Sequence, residues 1–569
     1  MSKAGRDDPE KSPGEKPPGA ASTGRGWTKV SCPCCVSEAV EPLVLVKLGE
    51  KVRPETKRWL IRLIGAPQRE GGAALLAHPG EDASGDIIVV SAPRCTLLRA
   101  TEELGLCKTY CTGEMETFSY EDKDNFRHAD NMEVFLTLAE RQYMVKYELE
   151  GLHAQRDVRI PGLADNYTLQ HRDNIWQKMS SAGVVVDTFP LHKRQKLKEL
   201  SESWYSGNQL SQPLDSVNAY FGSTVGFYFS FLDFYTWSLL PPAIMGLSIT
   251  YFSRLVVLGM LCFYWGEHQA MRLHEDWDSL VSQTLLYAPS VLHIVYTNVL
   301  ATVYKTVAQS LTEFENHREE SAFQNHLTAK VLVFTFFNYF AVLFHIAFVK
   351  QDVPLLRKRL ASLLIVTQLV NQVTEVVVPF LVDRFVSAPH RTEREDDPQE
   401  DKFRNQITLP VFPGLFAEYI ELLVQFGYLS LFSCVYPLTA VLLLINNITE
   451  IRTDAYKICK LFRKPFSPPV ANMGVWQIAF EILSFIAVVS NCWLLTLSPQ
   501  LQRMHQGGEM SSANILLLAV LAEHVLVLIK LIMAAVIPDE PEWIRKKRAH
   551  IEYTSMQALR QQGLPADES

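Results

Sequence analysis

The chain has 569 residues, 48% of them apolar and 20% charged, with a formal net charge of −8. That balance excludes a disordered, highly charged protein, and the acidic excess argues against a nucleic-acid binder, whose phosphate contacts need basic residues. Ten cysteines over this length are too sparse for a disulfide-stapled secreted scaffold.

Residues 1–40 read as a disordered tail. Its first part is rich in Pro, Gly, Ser and charge, and it lacks the apolar core of a signal peptide. Residues 41–221 read as a cytosolic α/β domain with its linker. Runs of β type fall at Leu43–Leu48, Ala73–Ala77 and Asp86–Ser91, amphipathic stretches at Pro54–Ile64 and Thr96–Leu104, and a further strand is expected at Glu116–Tyr120. The order β-α-β-β-α-β predicts a ferredoxin-like sandwich. A helix over Leu136–Leu152 follows, and then a polar connection to Gly222.

From residue 222 to 540 the pattern is that of a transmembrane domain, with 541–569 as a cytosolic tail. Apolar stretches recur at 226–252, 282–306, 329–349, 360–383, 420–446, 474–497 and 514–537. Most are long enough to cross roughly 30 Å of hydrocarbon as a helix. Pro437 divides the 420–446 stretch into two helices meeting at a break, which gives about eight crossings; Leu255–Trp265 is too short to span. An even number puts both termini on one side, and the basic run Arg545–Arg548 makes that side cytosolic. Arg357–Arg359 then faces the other side, against the rule. The mean hydropathy of +0.03 is thus the average of a polar part and an apolar part. The fold class expected is a mainly α-helical polytopic membrane protein with an N-terminal α/β ferredoxin-like domain.

Charge inside membrane helices is costly and needs partners or a function. Asn371 and Glu375 lie four apart on one helix face, Glu418 and Glu421 three apart, and Glu450 and Asp454 four apart. No basic residue on those faces is close enough in sequence to pair with them, since Arg452 at i+2 from Glu450 points away. Five carboxylates and one amide call for a multivalent cation. Oxygen-only donors suit calcium, which takes 6–8 oxygens, whereas zinc or copper would call for His or Cys. The plainer reading makes Glu418 and Asp454 solvated helix-end residues. Acidic pairs in successive apolar segments weigh against it.

Asp233, Glu481, Glu523 and His524 read as helix contacts or cavity linings. Cys32, Cys34 and Cys35 read as free thiols rather than an acylation site or half of a metal site, for want of matching His or Cys spacing. The sequons at Asn447 and Asn166 are expected to stay unglycosylated, the first because it lies within the acidic cluster. No nucleotide loop, HExxH element or nucleophile elbow occurs, so no enzyme is expected.

Residues 418–457, 315–350, 371–375 (NQVTE), 465–481 and the Gly222–Leu240 entry into the first helix resemble the anoctamin family of calcium-activated ion channels and phospholipid scramblases. The resemblance spans about 41–555 and is strongest to its intracellular, endoplasmic-reticulum branch. It implies a homodimer with ten membrane helices per chain. It also implies a two-calcium site per subunit built from Asn371, Glu375, Glu418, Glu421, Glu450 and Asp454, and Asp539 as part of a second calcium site. Between Gly246 and His274 the chain lacks the family's second helix and a loop, which puts in doubt the packing of that half.

The expected function is calcium-activated scrambling, with phospholipid headgroups crossing along a groove. Groove candidates are His293, Tyr296, Thr297, Asn298 and Thr302, then Asn338, Tyr339 and His345; the alternative is that they make ordinary interhelical hydrogen bonds. A calcium-gated chloride channel is the second expectation, with Lys305 as candidate pore cation; its place near a helix end gives snorkelling as the alternative. The third is a non-transporting partner that dimerises with related chains or tethers membranes. The endoplasmic reticulum is the compartment favoured, with the plasma membrane as alternative.

Overall fold

The structure, a computed structural model, describes residues 27, 40–50, 52–80, 87–163, 168–206, 211–248, 288–372, 401–498, 501–503, 511–538 and 540–562. The tail before residue 40 (Trp27 apart), Leu255–Trp265, Glu375, Asp539 and the Asn166 sequon lie outside them. The chain forms two compact units. One comprises Met1–Ser238, Leu369–Ala417 and Ile445–Met473, the other Leu239–Gln368, Glu418–Leu444 and Gly474–Ser569.

The first unit is organised by a four-stranded sheet. Its strands are β1 (Val44–Leu48), β2 (Leu76–Pro79) and β3 (Ile87–Ser91), interleaved with α1 (Pro54–Gly65) and followed by α2 (Arg94–Glu103). Val44, Val46, Ile88 and Val90 are wholly buried, while Leu45, Ile87 and Val89 join Phe189 and Leu191 in a separate cluster. Successive residues of a strand face opposite sides, so both faces are covered. Helix α1 starts at a proline, which needs no hydrogen-bond acceptor in the first turn, and turns Leu60 and Ile64 inward, four apart.

The expected strand at Glu116–Tyr120 is not the one that closes this sheet. Met115–Thr117 (β5) pairs instead with Cys107–Thr109 (β4) as a separate hairpin, and Phe118 beyond it packs on Phe126 and Phe135. The closing strand is β6, Val185–Pro190, which pairs antiparallel with β1 from Val44↔Pro190 onward. The resulting order is β2-β3-β1-β6, with all neighbours antiparallel. Asp187 and Thr188 give β6 a polar centre, which disguises a strand whose partner lies far away in the chain. Between the hairpin and β6 runs α3 (Leu138–Glu150), opened by a capping box. Thr137 Oγ1 accepts from the Glu140 N–H at 3.2 Å, and Glu140 Oε2 accepts from the Thr137 N–H at 2.8 Å.

Helix α4 (Leu214–Phe221) leads through Gly222 into α5 (Ser223–Ser238). Gly222 takes φ +94°, and a Cβ there would come within 2.4 Å of Ser467 Cβ, so both backbone conformation and space demand glycine.

In the second unit, α6 (Ala288–Phe314) and α7 (Glu320–Phe344) form a hairpin, with Tyr304 stacked on Phe334 at 4.0 Å. Helix α7 ends in a π-helical turn, His345–Lys350, and α8 (Val353–Gln372) follows. Arg357 Nε donates to Val435 O at 2.9 Å, so one member of the basic run binds a carbonyl left over at a helix break. That break separates α9 (Phe416–Leu431) from α10 (Thr439–Tyr456) and contains Pro437, as expected. Helix α9 packs closely on α7: a Cβ on Gly427 would meet the Phe340 ring at 2.2 Å. Helices α11 (Val475–Thr496), α12 (Ser512–Val536) and α13 (Glu542–Gln562) complete the chain. Among the described residues, three helices are long and apolar enough to cross a membrane: Glu320–Lys350, Val475–Thr496 and Ser512–Val536.

Candidate functional site

Helix α10 positions the best-defined acidic pair. Glu450 and Asp454 are four residues apart, on one face of the helix, and only 4% and 6% exposed. Tyr228 on α5 donates its hydroxyl to Asp454 Oδ2 at 2.6 Å. Asn446 Nδ2 donates to Glu450 Oε2 at 2.9 Å from one turn earlier.

One expectation fails here. Lys457 Nζ lies 3.0 Å from Asp454 Oδ1, so a basic residue does pair with the acidic face. It sits three residues on, within reach along a helix, where α10 passes into the π-helical turn Lys457–Leu461. Asn446 and Asn447 were also missed as site residues. Asn447 is wholly buried, and neither of its amide atoms is paired among the described residues. An asparagine one turn before a membrane carboxylate is the signal that would have marked them. Its burial agrees with a sequon that stays bare.

The other sequence-derived residues are placed less completely. Glu418 sits half-buried in the first turn of α9, and Glu421 Oε1 accepts from Gln425 Nε2 at 3.1 Å, one turn on. Asn371 lies at the C-terminal end of α8, where only the backbone is described. His293 and Thr297 are on α6, again as backbone only.

Of the groove candidates, two are brought together: Tyr339 donates its hydroxyl to Asn298 Oδ1 at 3.0 Å across the α6–α7 hairpin. Thr302 donates to the Asn298 carbonyl of its own helix at 2.9 Å. These are the ordinary hydrogen bonds of the plainer reading. Tyr296, by contrast, is 60% exposed; Asn338 is half-buried and His345 exposed. A lysine passed over in the last apolar helix, Lys530, lies 3.9 Å from the centre of the Phe485 ring and donates to Ser484 Oγ and, at 3.3 Å, to Glu481 O.

Comparison with known proteins gives this arrangement its context. The family model described as "Anoctamin: Calcium-activated chloride channel" matches residues 217–257 and 249–551. The two pieces overlap where the shortfall after Gly246 was expected. The chain is 36% identical to Anoctamin-10 of Mus musculus over 626 aligned positions, covering 92% of this chain and 94% of that protein. It is 35% identical to Anoctamin-10 of Homo sapiens with the same coverage, and 21% identical to Anoctamin-8 of Mus musculus over 83% of this chain and 73% of that protein. Acidic pairs in apolar helices, a model match over more than half the chain and relatives aligned almost end to end agree: the chain belongs to the anoctamin family, in the anoctamin-10 branch.

Proposed function

We propose that the chain is a calcium-activated phospholipid scramblase of intracellular membranes, the endoplasmic reticulum foremost, acting as a homodimer or with related chains, and not an enzyme. Both termini are proposed to face the cytosol. The observation that carries the reading is the buried Glu450–Asp454 pair. Glu450 and Asp454 offer buried carboxylate oxygens, oxygen donors suit calcium, and Glu418 is proposed to join them. The unpaired amide of buried Asn447 beside Glu450 fits an ion nearby. Glu421, Asn371 and Glu375 are proposed as the remaining donors, and Asp539 as a donor to a second calcium site. Calcium would neutralise carboxylates on separate helices, shifting the balance between closed and open grooves by its differential affinity for the two.

The test is flux of labelled lipid in liposomes holding the purified protein. Micromolar calcium should accelerate it, and chelator should return it to the protein-free rate. Flux that ignores chelator sinks the calcium part of the reading.

A chloride channel is the second reading, favoured by the printed description of the matching family model. Calcium-dependent current without lipid flux from the same preparation would select it. A non-transporting partner is the third, favoured by the two-piece match that meets at 249–257. Calcium binding with neither flux nor current would select that one.

A further inference from the structure

We propose that the turn joining α6 to α7 holds a transition-metal dication of the zinc class, ligated by Glu315, His317 and His326, with one position left for water. This site is separate from the calcium residues and does not rest on the scramblase reading.

Ligand atoms of the three residues all lie within 4.8 Å of one another. His317 Nε2 is 2.9 Å from Glu315 Oε2, and His326 Nδ1 is 3.9 Å from the same oxygen. Zinc bonds of about 2.0–2.1 Å in a tetrahedron separate neighbouring ligand atoms by roughly 3.3 Å. The two observed separations bracket that value, and the two imidazoles, stacked with ring centres 4.3 Å apart, would turn apart to aim one nitrogen each at the ion. Two imidazoles with one carboxylate select zinc-like ions over calcium or magnesium.

Local backbone brings the ligands together. Glu315 N–H still donates to Leu311 O at 3.2 Å as α6 ends, and Asn316 then takes φ 50°, the left-handed conformation that asparagine tolerates at a helix end. His317 therefore leaves the helix beside Glu315, while His326 comes from the second turn of α7. Lys330, four residues beyond His326, lies 2.8 Å from each Glu315 oxygen and donates to buried Thr312 at 3.1 Å. With Oε2 on the metal, Lys330 keeps Oε1 and orients the carboxylate, as outer-shell partners do. The ion would pin the α6–α7 hairpin at its turn.

The experiment is titration of the metal-stripped full chain in detergent with Zn2+, in excess calcium and magnesium. Cobalt serves as a spectroscopic replacement. The expected result is one zinc per chain in the micromolar range and a visible cobalt band. Loss of an outer-shell partner alone costs 10–100-fold, so His317→Ala and His326→Ala should each weaken binding at least about tenfold. Cys32→Ser, Cys34→Ser and Cys35→Ser together should leave the stoichiometry unchanged. Variants that melt like the wild type in chelator yet bind no zinc confirm the assignment. Undiminished zinc binding by the His317→Ala/His326→Ala chain, loss of it in the cysteine variant, or none in the wild type overturns it.

Discussion

Behind the N-terminal sheet, Arg141 binds Glu41 at 3.0 Å, Lys193 binds Glu41 at 2.6 Å and Glu133 at 3.3 Å, and Lys464 donates to Gln142 Oε1 at 2.6 Å beneath the Tyr220 ring. Burial first, and Arg141 next, push the Lys464 ammonium well below its usual range. Gln142 ties the cluster to the sheet through the carbonyls of Leu43 and Leu191. Along α10 the handling is different: Lys457 pairs with Asp454, while Tyr228 donates to Asp454 and Asn446 to Glu450. Isolated buried charge is expensive, and a buried ion pair is justified only when its remaining polar atoms are satisfied. In the first cluster Glu41 and Glu133 each meet a protein cation; along α10 the proposed calcium ion would share Asp454 with Lys457.

The sharpest way to break this contrast is to discharge α10. Glu450→Gln combined with Asp454→Asn should raise the calcium needed for half-maximal lipid flux at least about a hundredfold, roughly 2.7 kcal/mol. Calcium titration of flux in liposomes reads it, and an unmoved midpoint would place the ion elsewhere.

Acid tests the other cluster. Burial, then Lys464, push the His192 imidazole down to about 3 from 6.5, while its Nδ1 lies 2.9 Å from the Tyr220 hydroxyl. The unfolded imidazole takes a proton near 6.5 and the folded one does not. Stability is therefore intact above 6.5 and lost as pH falls toward 3, by ~2 kcal/mol at pH 5. Amide exchange of Val44–Leu48 should quicken accordingly, and His192→Asn should flatten the dependence. Glu148 works with the opposite sign: burial raises its carboxyl to about 7 from 4.5, against the Gln68 hydrogen bond. Its contribution is complete below 4.5 and lost as pH rises through about 7. Glu148→Gln should slow exchange along α3 at pH 8 and leave it unchanged at pH 4.

The same two regions differ in how far they could be read from residues alone. Strands β1 and β3, helix α1 and the Thr137–Glu140 capping box follow from local pattern, because pleat, helix period and capping act within a few residues. Strand β6 does not, since Val185–Pro190 is identified by β1 far upstream and by Arg463 binding Asp187. On α10, four-residue spacing announced Glu450 and Asp454, and the Pro437 break set where the helix could start. Lys457 is less legible because it stands at i+3 from Asp454, where α10 passes into a π-helical turn. The Glu315–His317–His326 group escaped because a turn and a distant helical residue share no period.

A milder perturbation of the first cluster is Lys464→Met. It leaves Gln142 Oε1 buried without its donor, which costs about 1–3 kcal/mol. It also removes a buried amine, which offsets part of that loss. A net destabilisation of ~1 kcal/mol is expected, read as faster exchange at Val44–Leu48. No loss at all would mean that Gln142 finds water in place of the amine.

Lys457→Met sharpens the comparison with the smallest effect and the opposite sign. The Lys457 ammonium competes with any dication for Asp454 Oδ1. Losing it should tighten calcium by about three- to fivefold, the order of 1 kcal/mol, where the Glu450 and Asp454 substitutions loosen it. Calcium-independent stability should fall at the same time, because buried Asp454 loses the ammonium 3.0 Å from its Oδ1. A structural ion pair predicts the second effect alone. Both together, in the calcium titration and in melting under chelator, would show that lysine and calcium serve the same carboxylate in turn.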